Sequence, residues 1–168
     1  MSKISSWHVG VAAEAFAAGM FARCGYDVSV QYGANQPEYD LMIAKGEKIL
    51  KISVKGSQDG GWGLTQNYKK GLDYHQAVDK WFEKHKSKTI FCFVQFKNTA
   101  LNELPRLYLA TPHEVAETLK KSAGGRGDTI LAEEHKWGIT AYAAGTVDKI
   151  PESWNFSRDR IEELFVTA

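Results

Sequence analysis

Pro37-Glu38-Tyr39-Asp40-Leu41-Met42-Ile43, followed by Ile49-Leu50-Lys51-Ile52-Ser53-Val54-Lys55, has the pattern of a β-hairpin that carries a site. Tyr39, Leu41 and Ile43 alternate with Asp40, Met42 and Ala44, and Leu50, Ile52 and Val54 alternate with Lys51, Ser53 and Lys55. A period of two marks half-buried strands, each with one apolar face. The polar segment Lys45-Gly46-Glu47-Lys48 joins them as a hairpin turn. With Gly46-Glu47 as a two-residue loop, Lys45 pairs with Lys48, Ala44 with Ile49, Ile43 with Leu50 and Leu41 with Ile52. Counting outward sets Asp40 against Ser53, Tyr39 against Val54 and Glu38 against Lys55. Asp40, Ser53 and Lys55 then share the polar face, and a slip of one residue would break every apolar pair.

A carboxylate and a lysine on one face of neighbouring strands are the minimum for holding a hard cation and a phosphate together. Phosphoryl chemistry asks for little else, because it depends on positioning and on stabilising negative charge. The order of a helix carrying Glu14, then Pro37-Glu38-Tyr39-Asp40, then Ser53-Val54-Lys55 resembles the PD-(D/E)xK nuclease superfamily, which includes restriction enzymes and Holliday junction resolvases. The resemblance covers about the first third of the chain, and beyond it only the element order continues. It implies an α/β fold with a mixed β-sheet flanked by helices, a restriction-endonuclease-like core, and metal-dependent hydrolysis of phosphodiester bonds in DNA. It further implies Mg2+ or Mn2+ held by Asp40 and Glu14 with the carbonyl of Val54 as a further ligand, and Lys55 at the attacking water or scissile phosphate. Ser53 stands where the family has Asp or Glu, and a neutral hydroxyl is a weaker ligand than a carboxylate. A catalytically degenerate nuclease-fold module that binds nucleic acid or protein is therefore the alternative. Enzymes that cut both strands often act as dimers, so a homo-oligomer is compatible with the resemblance.

Each of these residues also has a plainer reading. Glu14 is the sole acid of its helix and is either a solvent-edge residue or an acid aimed at the hairpin. Asp40 is either a strand-edge acid or functional, and its intrusion into a strand that otherwise suits a sheet favours function. Lys55 is either a solvated strand end paired with Glu38 or part of the site. Ser53 reads as a surface hydroxyl, able to hydrogen-bond a metal-bound water. Lys51 on the same face is exposed or meets a phosphate.

Length and composition set the frame. The 168 residues suit one domain with a sizeable core, and nothing in the sequence divides them. With 43% hydrophobic and 24% charged residues, the chain is neither disordered nor fibrous. A net charge of +1 gives no general pull on nucleic acid, so such a partner needs a local basic patch. Cys24 and Cys92 lack both zinc spacing and the density of a disulfide scaffold, which fits a reducing cytoplasm. No signal-peptide core or membrane-length apolar run is present. The histidines show no metal spacing, and neither a nucleophile-elbow serine nor a phosphate-binding glycine loop occurs.

The remaining elements follow from pattern. A helix is expected over 7–23, capped by Ser5 or Ser6 and stopped at Gly25, with a core stripe of Val9, Ala13, Phe16, Ala17 and Met20. Val11, Ala18 and Phe21 make a second face, on which Glu14 lies. A strand is expected over 26–32, with a loop over 33–37. Residues 56–63 form a Gly-rich loop beside the site, where Asp59 could stand in for the carboxylate missing at Ser53 and Trp62 is a packing latch or a base-stacking platform. Tyr68, Lys69 and Lys70 follow as a solvated loop or a surface facing nucleic acid. A helix over 74–85, with Asp73 as cap, ends in a basic cluster that continues to Lys86 and Lys88. Strands are expected over 89–96, buried on both faces, and 106–110, then a helix to residue 121 with Pro112 at its first position. The 122–128 stretch reads as mobile, 129–131 as a short strand, 137–142 as an edge pairing and 158–165 as a terminal helix.

Overall fold

The hairpin forms in the expected register. In the computed structural model, strand β2 (Leu41–Lys45) pairs antiparallel with β3 (Lys48–Ser57), matching Leu41 to Ile52, Ile43 to Leu50, Ala44 to Ile49 and Lys45 to Lys48. Before them come helix α1 (Ser6–Arg23) and strand β1 (Asp27–Val30). After them run β4 (Gly61–Gly63), α2 (Tyr74–His85), β5 (Thr89–Gln95), β6 (Arg106–Ala110), α3 (Pro112–Lys121), β7 (Ile130–Ala132), β8 (Glu134–Lys136), β9 (Val147–Lys149) and α4 (Arg158–Thr167). The structure describes residues 3–31, 38–85, 89–139 and 141–167. The loop expected over 33–37, with Pro37 of the motif, and Tyr32, Lys86 and Lys88 lie outside the described residues. Among the described residues, no helix is long and apolar enough to cross a membrane.

The chain divides into two compact units, one made of Met1–Asp59, Lys88–Thr111 and Ser153–Ala168, the other of Gly60–Ser87 and Pro112–Glu152. The first holds a mixed five-stranded sheet in the order β1-β2-β3-β5-β6, in which only β3 and β5 run parallel. Leu41, Ile43, Leu50, Ile52 and Val54 join Ile90, Cys92, Val94, Leu107 and Leu109 on one face, and α1 and α4 cover it. Burial of each large aliphatic side chain contributes about 1.5–3 kcal/mol, so these rows dominate the stability of the unit. β5 is buried at every position, which is the environment its unbroken apolar run requires. The outer edge of β6 is covered by the chain that leads into α4. The Phe156 N–H donates to the Leu107 carbonyl, and the buried Arg160 guanidinium donates to the Leu109 carbonyl at 3.2 and 3.0 Å.

Helix α1 begins where its cap places it. The Ser5 hydroxyl accepts the His8 N–H, and the His8 ring accepts the Ser5 N–H in return, so both orphan donors are satisfied. Its buried row is Val9, Ala13, Ala17 and Phe21, a strict succession of four-residue steps. Phe16 and Met20, expected in the core, sit at its rim, while Phe21, expected on the second face, is fully buried. Gly56, expected in a loop, lies inside β3 instead. A Cβ there would stand 2.7 Å from the Ala13 Cβ and 3.0 Å from the Val9 carbonyl, so the helix can cross this strand only over a glycine.

The second unit pairs β4 with β7 and β8 with β9, and packs α2 against α3. α2 opens on a reciprocal cap in which Asp73 Oδ1 accepts the Gln76 N–H at 2.7 Å and Gln76 Oε1 accepts the Asp73 N–H at 3.1 Å. The Gly-rich loop after Lys55 is thus mostly strand: β3 runs to Ser57, and Gly61 to Gly63 pair with Ile130 to Ala132. The pairing expected over 137–142 is replaced by the β8–β9 hairpin, and the 122–128 stretch takes a turn tied by Gly127 N–H to the Ser122 carbonyl and Asp128 N–H to the Leu119 carbonyl.

Gly56→Ala should destabilise the protein by about 1–3 kcal/mol, the usual cost of overpacking. Equilibrium urea denaturation reads this, and unchanged stability would mean that α1 does not need the glycine.

Candidate functional site

The β2–β3 ladder stops at Leu41 and Ile52, so the further pairs of Asp40 with Ser53, Tyr39 with Val54 and Glu38 with Lys55 do not continue it. At this opening Asp40 takes over. Its N–H donates to the Ile52 carbonyl at 2.8 Å, and its carboxylate Oδ2 accepts the Val54 N–H at 2.7 Å. Its own carbonyl accepts the Gln31 N–H at 2.9 Å, which ties the same residue to the segment after β1. An aspartate that interrupts a strand would otherwise leave the Val54 amide without a partner, and here its side chain satisfies that amide.

Glu14 and Lys55 act on this carboxylate. Burial raises the pKa of Asp40 above its ordinary value, and the Val54 amide and the charge of Lys55 pull it back. Burial likewise raises the pKa of Glu14, and the negative charge of Asp40 raises it further. Asp40 is therefore in electrostatic reach of both Glu14 and Lys55, although the three come from α1, the residue before β2 and the second half of β3. The route is the Gly56 crossing: Ala13 rests there on β3, and Glu14 is the next residue of the helix.

Ser53 departs from the surface reading, being only 4% exposed. Its register partner on β5 is the buried Phe91, so the sheet face that alternation assigns to polar residues is covered at this point. Lys51 is exposed, with its Nζ 5.1 Å from the centre of the Tyr39 ring. Asp59 does not stand in at Ser53, since its Oδ1 accepts the Ser57 hydroxyl at 2.9 Å. In the second unit Trp62 is 3% exposed and paired across the sheet with Leu131. Its ring has no open face for a base, and of its two readings burial leaves the packing latch. Tyr68 is half-buried in a single 3-10 turn, Lys70 is exposed, and Lys69 holds its Nζ 4.3 Å from the centre of the Tyr74 ring. Sequence reading missed Arg126, whose guanidinium lies 4.3 Å from the Tyr74 ring centre and also faces Trp137 and Tyr142.

A hard divalent cation needs several oxygen donors. Near Asp40 two carboxylates of like charge act on each other, and the Val54 amide occupies Oδ2 only, so oxygen donors suited to Mg2+ or Mn2+ are present. A third acid is missing: among the described residues no group of three or more His, Cys, Asp or Glu side chains is placed to hold a metal.

Because Glu14 and Asp40 are both easier to protonate when folded than unfolded, their ionisation opposes folding. Stability should fall as pH rises from the ordinary carboxylate range through their raised pKa values. In Asp40→Asn the amide oxygen can still accept the Val54 N–H, while the charge against Glu14 is gone. A carbon-detected NMR titration should then find the Glu14 pKa lowered, each unit being worth about 1.4 kcal/mol. An unmoved Glu14 would show that the two acids do not interact.

No protein-family model matches the chain, and no curated protein matches it. A solved bacterial homing endonuclease, I-Ssp6803I, is similar over 67% of this chain and 69% of its own, at 18% identity and a TM-score of 0.38. That likeness is too slight to carry any part of the functional reading.

Proposed function

We propose that the protein is a metal-dependent nuclease of the PD-(D/E)xK type that hydrolyses phosphodiester bonds in DNA. The observation that carries the reading is Asp40, whose carboxylate is fixed by the Val54 amide where the hairpin opens, within the fields of Glu14 and Lys55. Nuclease chemistry needs such a fixed anionic point beside a cationic one.

In this reading Asp40 and Glu14, with the Val54 carbonyl, hold Mg2+ or Mn2+. When bound, the metal supplies neutralisation of phosphate charge and a more acidic water. Lys55 orients the water or a non-bridging phosphate oxygen by donating to it, and its charge favours the pentacovalent state over the ground state. The Val54 amide keeps the Asp40 carboxylate from rotating, so that the remaining oxygen is presented in one direction. Burial around both acids lowers the local dielectric and strengthens each of these interactions. Lys51, exposed on the same strand, is a further cation for a backbone phosphate.

The second reading is a nuclease-fold protein that binds nucleic acid or a protein without cutting. Ser53 supports it, because a buried neutral hydroxyl occupies the position where the motif has its second acid.

Purified protein should cleave DNA in Mg2+ or Mn2+ and not in chelator, and Asp40→Ala and Lys55→Ala should each lower the rate by at least about 100-fold, as loss of a principal charge-stabilising group does. Circular dichroism checks that the variants fold. Cleavage retained in Asp40→Ala removes the assignment, and binding without any turnover by the wild type moves it to the second reading. Under that outcome, metal affinity gained in Ser53→Glu would locate the defect at this one position.

A further inference from the structure

We infer that the second unit carries a binding surface for single-stranded nucleic acid, built from Lys69, Tyr74, Arg126, Trp137 and Tyr142. The choice of nucleic acid as partner rests on the nuclease reading; the surface itself rests on separate geometry.

The site is held together by a close approach. Gly127, at φ +91°, lies where a Cβ would stand 2.9 Å from the Tyr74 Cβ and 3.0 Å from the His75 ring. The His75 Nε2 is bonded to the Gly125 carbonyl at 2.8 Å. The turn is thus pressed on the first residues of α2, and Arg126, between those two glycines, is delivered over the Tyr74 ring. Its guanidinium carbon is 4.3 Å from that ring centre, 5.4 Å from Trp137 and 5.8 Å from Tyr142. Trp137 is fixed in turn, since its indole N–H donates to Asp148 Oδ2 at 2.8 Å. The same carboxylate oxygen accepts the Ala123 N–H at 3.0 Å at the start of the turn.

The arrangement sets two cations on one ring, while the carboxylate of Asp148 is held by the Trp137 indole and the Ala123 amide. Lys69 Nζ also lies 4.3 Å from the Tyr74 ring centre, so two positive groups share one aromatic ring. Neither forms an ion pair among the described residues. The Arg126 hydrogen bond there runs from Nε to the Gly127 carbonyl at 3.2 Å and engages neither terminal nitrogen. The sequence neighbours Asp73 and Asp128 are occupied as caps, on the Gln76 amide and on the Thr129 and Ile130 amides. Cation–π contact explains one cation on a ring, while a second beside it adds repulsion that a bound anion would relieve. A guanidinium whose two terminal donors no described residue engages matches a phosphate in fork geometry. Tyr142, 75% exposed, adds a ring on which a base can stack. Bases are available for such stacking in a single strand and not inside a duplex, and this selects the strand form.

The test is fluorescence anisotropy of a labelled oligothymidylate and of a duplex of equal length, in chelator to hold cleavage off. Arg126→Gln should weaken oligothymidylate binding about tenfold or more, and Arg126→Gln and Lys69→Gln should each reduce the salt slope by about 0.7. Tyr142→Leu, at an exposed position that the fold does not need, should weaken single-strand binding and leave duplex binding unchanged. Wild-type affinity in Arg126→Gln and Tyr142→Leu overturns the inference, as does absence of oligothymidylate binding by the parent protein or equal loss on both probes in Tyr142→Leu. Cleavage that survives with these variants binding normally retains the nuclease and removes this surface. Binding that depends on Arg126 without any cleavage does the reverse.

Discussion

The hydrogen bond from the Val54 amide to the Asp40 carboxylate governs how the rest of the candidate site is arranged. A hairpin that simply continued would pair main chain with main chain and turn its acidic residue to one face. By accepting the amide itself, Asp40 ends the ladder and stays in the plane where the strands part, between the face covered by α1 and the face that carries Lys55. A carboxylate in that position meets groups from both sides, and it does so at the cost of burying negative charge, which the raised pKa records.

The second constraint is the absence of a side chain at residue 56. Helix α1 is rich in alanine and glycine, and its row of Val9, Ala13 and Ala17 lets its backbone come close to the sheet. The closest point is over Gly56, and Glu14 enters the site because it follows Ala13 there. Glu14 is thus brought to a like charge by packing of its neighbours. Apolar burial in the core supplies the free energy that holds two acids together, and like negative charges held close in this way bind a cation more readily than either acid alone.

Most of this was legible from sequence because it is written locally. The period of two in 39–44 and 50–55 fixed the register as far as Leu41, and the short turn left no alternative spacing. The helices over 6–23, 74–85 and 112–121 are marked at their starts by Ser5, Asp73 and Pro112, residue types favoured as caps or at the first helical position. The run 89–95 could only be an interior strand. The points that escaped depend on partners far away in the chain. Ser53 is buried because Phe91 lies beside it, β4 exists because β7 pairs with it, and alternation within one segment carries neither fact. The Arg126 cluster joins residues 69, 74, 126, 137 and 142, a set with no period at all. Asp40 was legible as an anomaly, and its hydrogen bond to Val54 was not.

The parallel neighbours β3 and β5 are separated by a connection that belongs to the other unit, and β6 gains its outer cover from residues 155–160. Sequence-distant contacts close slowly, because the entropy of a long loop is lost before the pairing is gained. During synthesis the hairpin and α1 can associate early, but the β6 edge stays open until the last helix leaves the ribosome. An uncovered edge is a template for another chain. The two hydrogen bonds from Arg160 to Leu109 help to close that edge, and a nascent chain stalled before residue 160 would present it to another chain.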